Sequence, residues 1–210
     1  MAEDVTEDGL TEELGIPMSM KVVAFNGSAR KDGNTAILIR EAFREIEKEG
    51  IETEMVQLAG QAIHGCIACG RCFQNKNHRC AVEDDVANSC IDKMRTADGI
   101  ILASPTYFAD VSTETKALMD RAGYVARANS DMFRRKVGAA IVAVRRAGGM
   151  HTFDTINHFF TISQMIVPGS NYWNIGYGRA EGDVEHDEEG LKTMQTLGQN
   201  IAWLLKKLNA

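Results

Sequence analysis

A chain of 210 residues, 44% of them hydrophobic, is long enough for one domain with a substantial core and short of what two ordinary domains need. Its formal charge of −6 is unevenly placed: Glu3, Asp4, Glu7, Asp8, Glu12 and Glu13 precede every basic residue, so 23 of the 29 acids remain against 23 bases. A formally neutral body lacks the clustered positive face that a phosphate backbone requires, which argues against nucleic acid as a partner. No run approaches the eighteen or so apolar residues of a membrane span, and the acidic start lacks the basic and apolar regions of a signal peptide, so a cytoplasmic protein with no membrane partner is expected.

Residues 1–20 read as an acidic disordered tail and 21–210 as the folded domain. Lys21 to Asn26 is a short apolar run ending at Gly27-Ser28, as expected for a parallel strand buried on both faces. Asn34-Thr35 opens a helix with Ile37, Leu38, Ala42, Phe43 and Ile46 on one face, and Gly50 stops it. Ile51 to Val56 alternates and reads as an edge strand, followed by a cysteine-rich loop over 60–83. Asp84-Asp85 then starts a helix at its dipole-favoured end, and Cys90 sits in that helical pattern with Val86 and Met94 as a buried, inert thiol.

Gly99 to Ala103 is a second buried strand, closed by Ser104-Pro105. A helix from about Ser112 to Ala126, a strand from Val137 to Val144, a helix from about Thr152 to Ser163 and a short strand at Met165 to Val167 continue the alternation. The basic groups Arg134 to Lys136 and Arg145-Arg146 read as the solvated ends of the strand between them. The last helix carries Leu191, Met194, Leu197, Ile201, Leu204, Leu205 and Leu208 as a 3.6-residue stripe, acidic at its start and basic at Lys206-Lys207. Five strands alternating with helices predict an α/β, doubly wound three-layer fold with a parallel sheet in the order 2-1-3-4-5. In that order a ligand sits at the switch point between strands one and three.

The loops at that point carry unusual residues. Gly27 to Thr35 joins a buried strand to a helix N-terminus, whose unpaired N–H groups and dipole favour an anion; Ser28, Thr35 and Arg30 complete a candidate dianion site. It matches neither the lysine-terminated P-loop nor G-x-G-x-x-G, which disfavours a nucleoside triphosphate or a Rossmann-bound dinucleotide. The bland alternative is a plain turn with Asn34 as helix cap. Ser104 to Phe108 can lay backbone N–H groups and aromatic edges beside a planar ring, and Gly148-Gly149 permits the close backbone approach that a flat heterocycle needs. Three such loops at neighbouring strand ends fit one phosphate-bearing flat ligand.

Cys66, Cys69, Cys72 and Cys80 crowd into fifteen positions. In a reducing compartment such a cluster is metal-binding or catalytic more often than disulfide-bonded. Three thiolates at successive spacings of three can hold three corners of a four-iron, four-sulfur cube, with Cys80 reaching the fourth. Seven residues separate Cys72 from Cys80 and no proline follows, unlike the bacterial ferredoxin run. Zinc on four thiolates, or on three with His64 or His78, and unmetallated thiols remain open.

Gly27-Ser-x-Arg30 with Asn34-Thr35, Ser104-Pro-x-Tyr-Phe108 with Lys116 to Arg121, and the cysteine motif with Asp84-Asp85 resemble the iron–sulfur flavoproteins. These form part of the NADPH-dependent FMN reductase group of flavodoxin-like folds, and the resemblance covers about Lys21 to Leu208. It implies FMN, with Ser28, Arg30, Asn34 and Thr35 on the phosphate and Pro105, Thr106, Tyr107, Phe108, Gly148 and Gly149 along the isoalloxazine. It also implies a [4Fe–4S] cluster on Cys66, Cys69, Cys72 and Cys80, a homodimer or homotetramer, and electron exchange with a ferredoxin-like carrier or NAD(P)H. No side chain is required as a catalytic acid or base.

His151 and His158 share a helix face and read as structural. Tyr172, Trp173 and Tyr177 read as packing or interface residues. The competing functions are a cluster-free NAD(P)H-dependent FMN or quinone reductase and a flavin- or zinc-binding regulatory module without turnover.

Overall fold

The computed structural model describes residues 20–209, and all of the expected acidic tail except Met20 lies outside them. Five parallel strands form one sheet: β1 (Lys21–Asn26), β2 (Glu52–Gln57), β3 (Gly99–Pro105), β4 (Val137–Val144) and β5 (Ile175–Tyr177), in the order β2-β1-β3-β4-β5. Between them run α1 (Asn34–Lys48), α2 (Arg71–Asn75), α3 (Ala87–Thr96), α4 (Thr113–Ala128) and α5 (Gly149–Ile162), and α6 (Glu188–Leu208) closes the chain.

Successive strand residues point to opposite faces, so each central strand feeds two cores. Val23, Phe25, Ile100, Leu102, Ala140 and Val142 meet α3, α4 and α5. Val22, Ala24, Ile101, Ala103, Ala139 and Ile141 meet α1 and α6. With helices on both faces, β3 and β4 are buried throughout, which is why their sequences are uninterrupted apolar runs. β2, paired on one side only, keeps partly exposed residues along its length. In α6 the stripe is buried at Met194, Leu197, Ile201 and Leu205, while Leu208 stands half-exposed at the frayed end. The Cys90 thiol is buried and pushed up to about 11 by that burial, consistent with an inert role.

Two expectations are corrected. The fifth strand is not Met165 to Val167: Ile166 makes a single bridge to Val137 at the start of β4, Pro168 follows, and the strand proper forms at Ile175–Tyr177 beside the end of β4. The exposed edge of the eight-residue β4 is thus covered in two pieces, with Asn174 between them accepting from the Val142 N–H and donating to the Ala140 carbonyl. The helix expected at Asp84-Asp85 begins at Ala87. Asp85 instead accepts from the Ala87 N–H and turns its other oxygen to Arg121, an interaction between distant parts of the chain that local helix rules do not register.

Among the described residues no helix is long and apolar enough to cross a membrane.

Candidate functional site

The loop after β1 is built on buried polar residues. Asn26, fully buried, accepts from the Ser28 N–H and donates to Gln57 Oε1 at 2.8 Å, and Gln57 Nε2 donates to the Ser28 carbonyl at 2.7 Å. Ser28 Oγ then accepts from the Arg30 N–H. Gly27 donates to the Ala103 carbonyl and lies against Ser112 and Thr115 at the start of α4, where no larger residue fits. The loop therefore leaves the sheet in one fixed direction and turns into α1 at Gly33, a cap residue with no side chain to satisfy the first N–H groups of the helix. Those donors, buried Thr35 at the first turn and the exposed Arg30 guanidinium form a cradle suited to a phosphate dianion. Asp32, the acid nearest in sequence, is drawn to Arg40 at 2.5 Å.

Asn34 departs from expectation. It is the first residue of α1, not its cap, and its amide is committed elsewhere: Nδ2 donates to the Ala180 carbonyl and Oδ1 accepts from the Val184 N–H. What Asn34 offers an anion is its backbone N–H.

The loop after β3 doubles back sharply. Tyr107 and Asp110 exchange both backbone hydrogen bonds around Phe108 and Ala109, which sit at φ 47° and 68°. Such a two-residue turn is normally made by Asn-Gly or Gly-Gly, so two side-chain-bearing residues here cost about 1–2 kcal/mol each and persist only because the surroundings impose them. The turn leaves Tyr107 half-exposed and Phe108 fully exposed at the strand ends, with Pro105 buried behind them. Gly148, at φ 86° before α5, lies where an added β-carbon would meet Thr106 and Ala109 at 3.5 Å, and Thr152 Oγ1 donates to Thr106 Oγ1 at 3.0 Å. The loops after β3 and β4 are thereby packed together at the same edge of the sheet as the loop after β1. His151 lies 3.5 Å from Asp110 and His158 is exposed. Burial acts to raise the Asp110 carboxyl, but the Val111 N–H, Thr155 and His151 together hold it below the usual range. Tyr172, Trp173 and Tyr177 are half-exposed and line a cavity of about 340 Å³ with Gly148 and Gly149.

The cysteine loop is shaped by left-handed residues at Ala68, Gly70, Lys76 and His78. These, with the short α2, fold the seven-residue gap back on itself, so Cys66, Cys69, Cys72 and Cys80 line one cavity of about 140 Å³ with Phe73 and Arg121. All four are free thiols, and burial pushes the Cys72 thiol up. Among the described residues no three Cys, His, Asp or Glu side chains converge closely enough to hold a single metal ion. Four thiols around one cavity are the donor set that a cluster or a zinc ion would draw on.

The motifs included Asp85 and Arg121 but gave them no role, and they passed over Asn88; these three residues hold the loop. The Arg121 side chain is fully buried, paired with an equally buried Asp85. The same guanidinium donates to the His64 carbonyl at 3.2 Å, the Val82 carbonyl at 2.6 Å and Cys80 Sγ at 3.3 Å. Buried Asn88 accepts from the Cys80 N–H and donates to the Cys80 and Val82 carbonyls. The available signal was an arginine on the apolar face formed by Leu118, Ala122 and Val125, which demands a buried partner.

A parallel five-stranded sheet in the order β2-β1-β3-β4-β5, with helices on both faces, defines a flavodoxin-like protein. The solved WrbA-like flavodoxin of Agrobacterium tumefaciens superposes with a TM-score of 0.63 over 90% of this chain and 98% of its own, at 14% identity. Residues 20–180 match the family described as NADPH-dependent FMN reductase, and the chain belongs to that family. It is 43% identical over 194 residues to an iron-sulfur flavoprotein of Methanocaldococcus jannaschii, covering 89% of this chain and 98% of that one. It is 33% identical over 189 residues to the iron-sulfur flavoprotein of Methanosarcina thermophila, covering 89% and 96%. The protein is accordingly an FMN-dependent redox protein of the oxidoreductase class.

Proposed function

We propose that the protein passes electrons between a ferredoxin-like carrier or NAD(P)H and an acceptor, using FMN at the switch-point crevice and a [4Fe–4S] cluster on Cys66, Cys69, Cys72 and Cys80. The observation that carries this reading is that all four thiols line one cavity beside α4, the helix whose first turn packs under the flavin-side loop at Gly27. Nine residues of α4, about 14 Å at 1.5 Å per residue, separate Ser112 at the crevice from Arg121 at the cavity. Bound FMN exchanges electrons singly or in pairs, and a cluster exchanges them singly, so the pair would split and recombine electron pairs.

The chain's own part is positional. The α1 N–H groups, Thr35 and Arg30 bind the phosphate; Tyr107, Phe108, Gly148 and Gly149 orient the ring and keep water from one side. No side chain need move a proton. A nicotinamide donor would stack on the open face of the flavin without a fingerprint of its own. A reducing cytoplasm would keep the thiols free. A homodimer or homotetramer belongs to this reading, and the open groove of about 620 Å³ between α4 and α5, with Tyr124 and Ile162 exposed, is a surface it could cover.

Anaerobically purified protein is expected to carry about four iron and four sulfide per FMN. Flavin without iron, together with rapid NADPH oxidation, would instead establish a cluster-free reductase. Failure of every ferredoxin and nicotinamide donor to reduce the flavin would favour a regulatory module. Cys69→Ala is expected to keep FMN and lose iron, read by metal analysis; unchanged iron content would contradict the ligand set. Arg30→Ala is expected to weaken FMN by about 1.5–3 kcal/mol, roughly 10- to 150-fold in Kd by flavin fluorescence, and normal affinity would remove Arg30 from the cradle.

A further inference from the structure

One side chain reaches both ends of the cysteine loop. Arg121 takes the His64 carbonyl before Cys66 and the Val82 carbonyl after Cys80, so a single guanidinium pins both stems of the loop. The residues between are largely exposed, and the loop gains little from packing of its own. The fourth bond of the guanidinium, from Nε, is aimed at Cys80 Sγ at 3.3 Å. A structural rivet needs the carbonyl bonds and the Asp85 pair; it does not need a donor on a thiol.

We propose that Arg121 is a positioning residue for the cluster, holding Cys80 in place and, through the Nε–H donated to its sulfur, making the cluster easier to reduce. The inference rests on the cluster reading above. Gain of one electron, supplied by the ferredoxin-like or NAD(P)H donor, adds one negative charge to the thiolate-bound unit with no bond made or broken. A hydrogen bond to a ligand sulfur stabilises the more negative form, and such bonds are among the levers that set cluster potentials. Asp85 tempers the effect: its carboxylate sits on the same guanidinium and cancels most of its net charge, leaving the directed N–H bond as the main contribution.

Two variants of the full chain, anaerobically reconstituted and titrated with dithionite under EPR, separate this role from loop closure alone. Arg121→Met combined with Asp85→Asn removes both charges and the donor, and is expected to lower the cluster potential. A tenfold loss in the one-electron reduction equilibrium reads as a 59 mV shift. Asp85→Asn alone frees the Arg121 charge to act on Cys80 and is expected to raise the potential. Opposite signs cannot come from a loosened loop, which would move both variants the same way. Should the double variant fail to fold, Arg121→Lys takes its place: it keeps the charge but loses the directed Nε–H, so a lowered potential is expected, and an unmoved one overturns the proposal. Potentials unmoved in the variants, or moved in one direction by both, overturn the proposal; absence of iron and sulfide in the unmodified protein overturns the cluster reading instead.

Discussion

Asp85→Ala is expected to cost about 3–5 kcal/mol of folding stability, because it leaves a buried guanidinium without its counter-charge. Both side chains of the Asp85–Arg121 pair are shielded from solvent, and Arg121 cannot turn outward without releasing the carbonyls of His64 and Val82. Urea unfolding of the two proteins measures the difference, and a midpoint unchanged from the parent would sink the argument. Asp85→Asn keeps one oxygen, which can accept from the His64 or the Ala87 N–H but not from both, so it should lose less than the alanine variant while still costing stability. The pair also sets an acid limit. Burial acts to raise the Asp85 carboxyl, but the His64 N–H, Arg121 and the Ala87 N–H outweigh it and hold the group below the ordinary carboxylate range. A group with a depressed folded value contributes its full stabilisation above the unfolded value of about 3.9 and loses it as the pH falls through the folded value. The parent protein should therefore lose an increment of stability below about pH 4 that Asp85→Asn does not show.

Gly27→Ala is expected to weaken FMN binding by tenfold or more while leaving the sheet intact. A β-carbon there would stand 1.9 Å from Thr115 Oγ1, 2.8 Å from Ser112 Oγ and 3.2 Å from the Ala103 carbonyl oxygen. Neither hydroxyl can swing aside: Ser112 caps α4 by accepting from the Thr115 N–H, the two hydroxyls bond each other at 3.0 Å, and both residues are buried. Overpacking of this kind costs about 1–3 kcal/mol, and the part most free to yield is the exposed stretch from Ala29 to Asp32 that carries Arg30. Fluorescence titration with FMN reads the effect. Removing the obstructing hydroxyl with Thr115→Ala in the same chain should recover part of the affinity, since contacting sites couple non-additively. Parental affinity in the single variant would show that the loop does not depend on this contact.

Much of the crevice was legible from residue order. The buried runs of β1, β3 and β4 end in Gly27-Ser28, Ser104-Pro105 and Arg145 to Gly149, and a parallel sheet brings the C-terminal ends of its strands to one edge. Ser28, Arg30 and Thr35 lie together at that edge because all three are within nine residues of one strand end. Asn34, equally local, does not present its amide there, because Ala180 and Val184 compete for it from 146 and 150 residues away. The fifth strand escaped for a similar reason. Met165 to Val167 has the side chains of a strand, yet which segment completes the sheet is settled by what lies beside the far end of β4.

Hydrophobic periodicity, glycine placement and cysteine spacing by themselves determined the doubly wound architecture, the edge on which a ligand sits and the four thiols of the loop, since each follows from short-range geometry of a strand or a helix. Only the tertiary structure decided that these thiols surround one cavity, and that Arg121, 41 residues beyond Cys80, secures them with Asp85. A buried charge becomes stable only where the fold delivers its partner, and no local pattern carries that information.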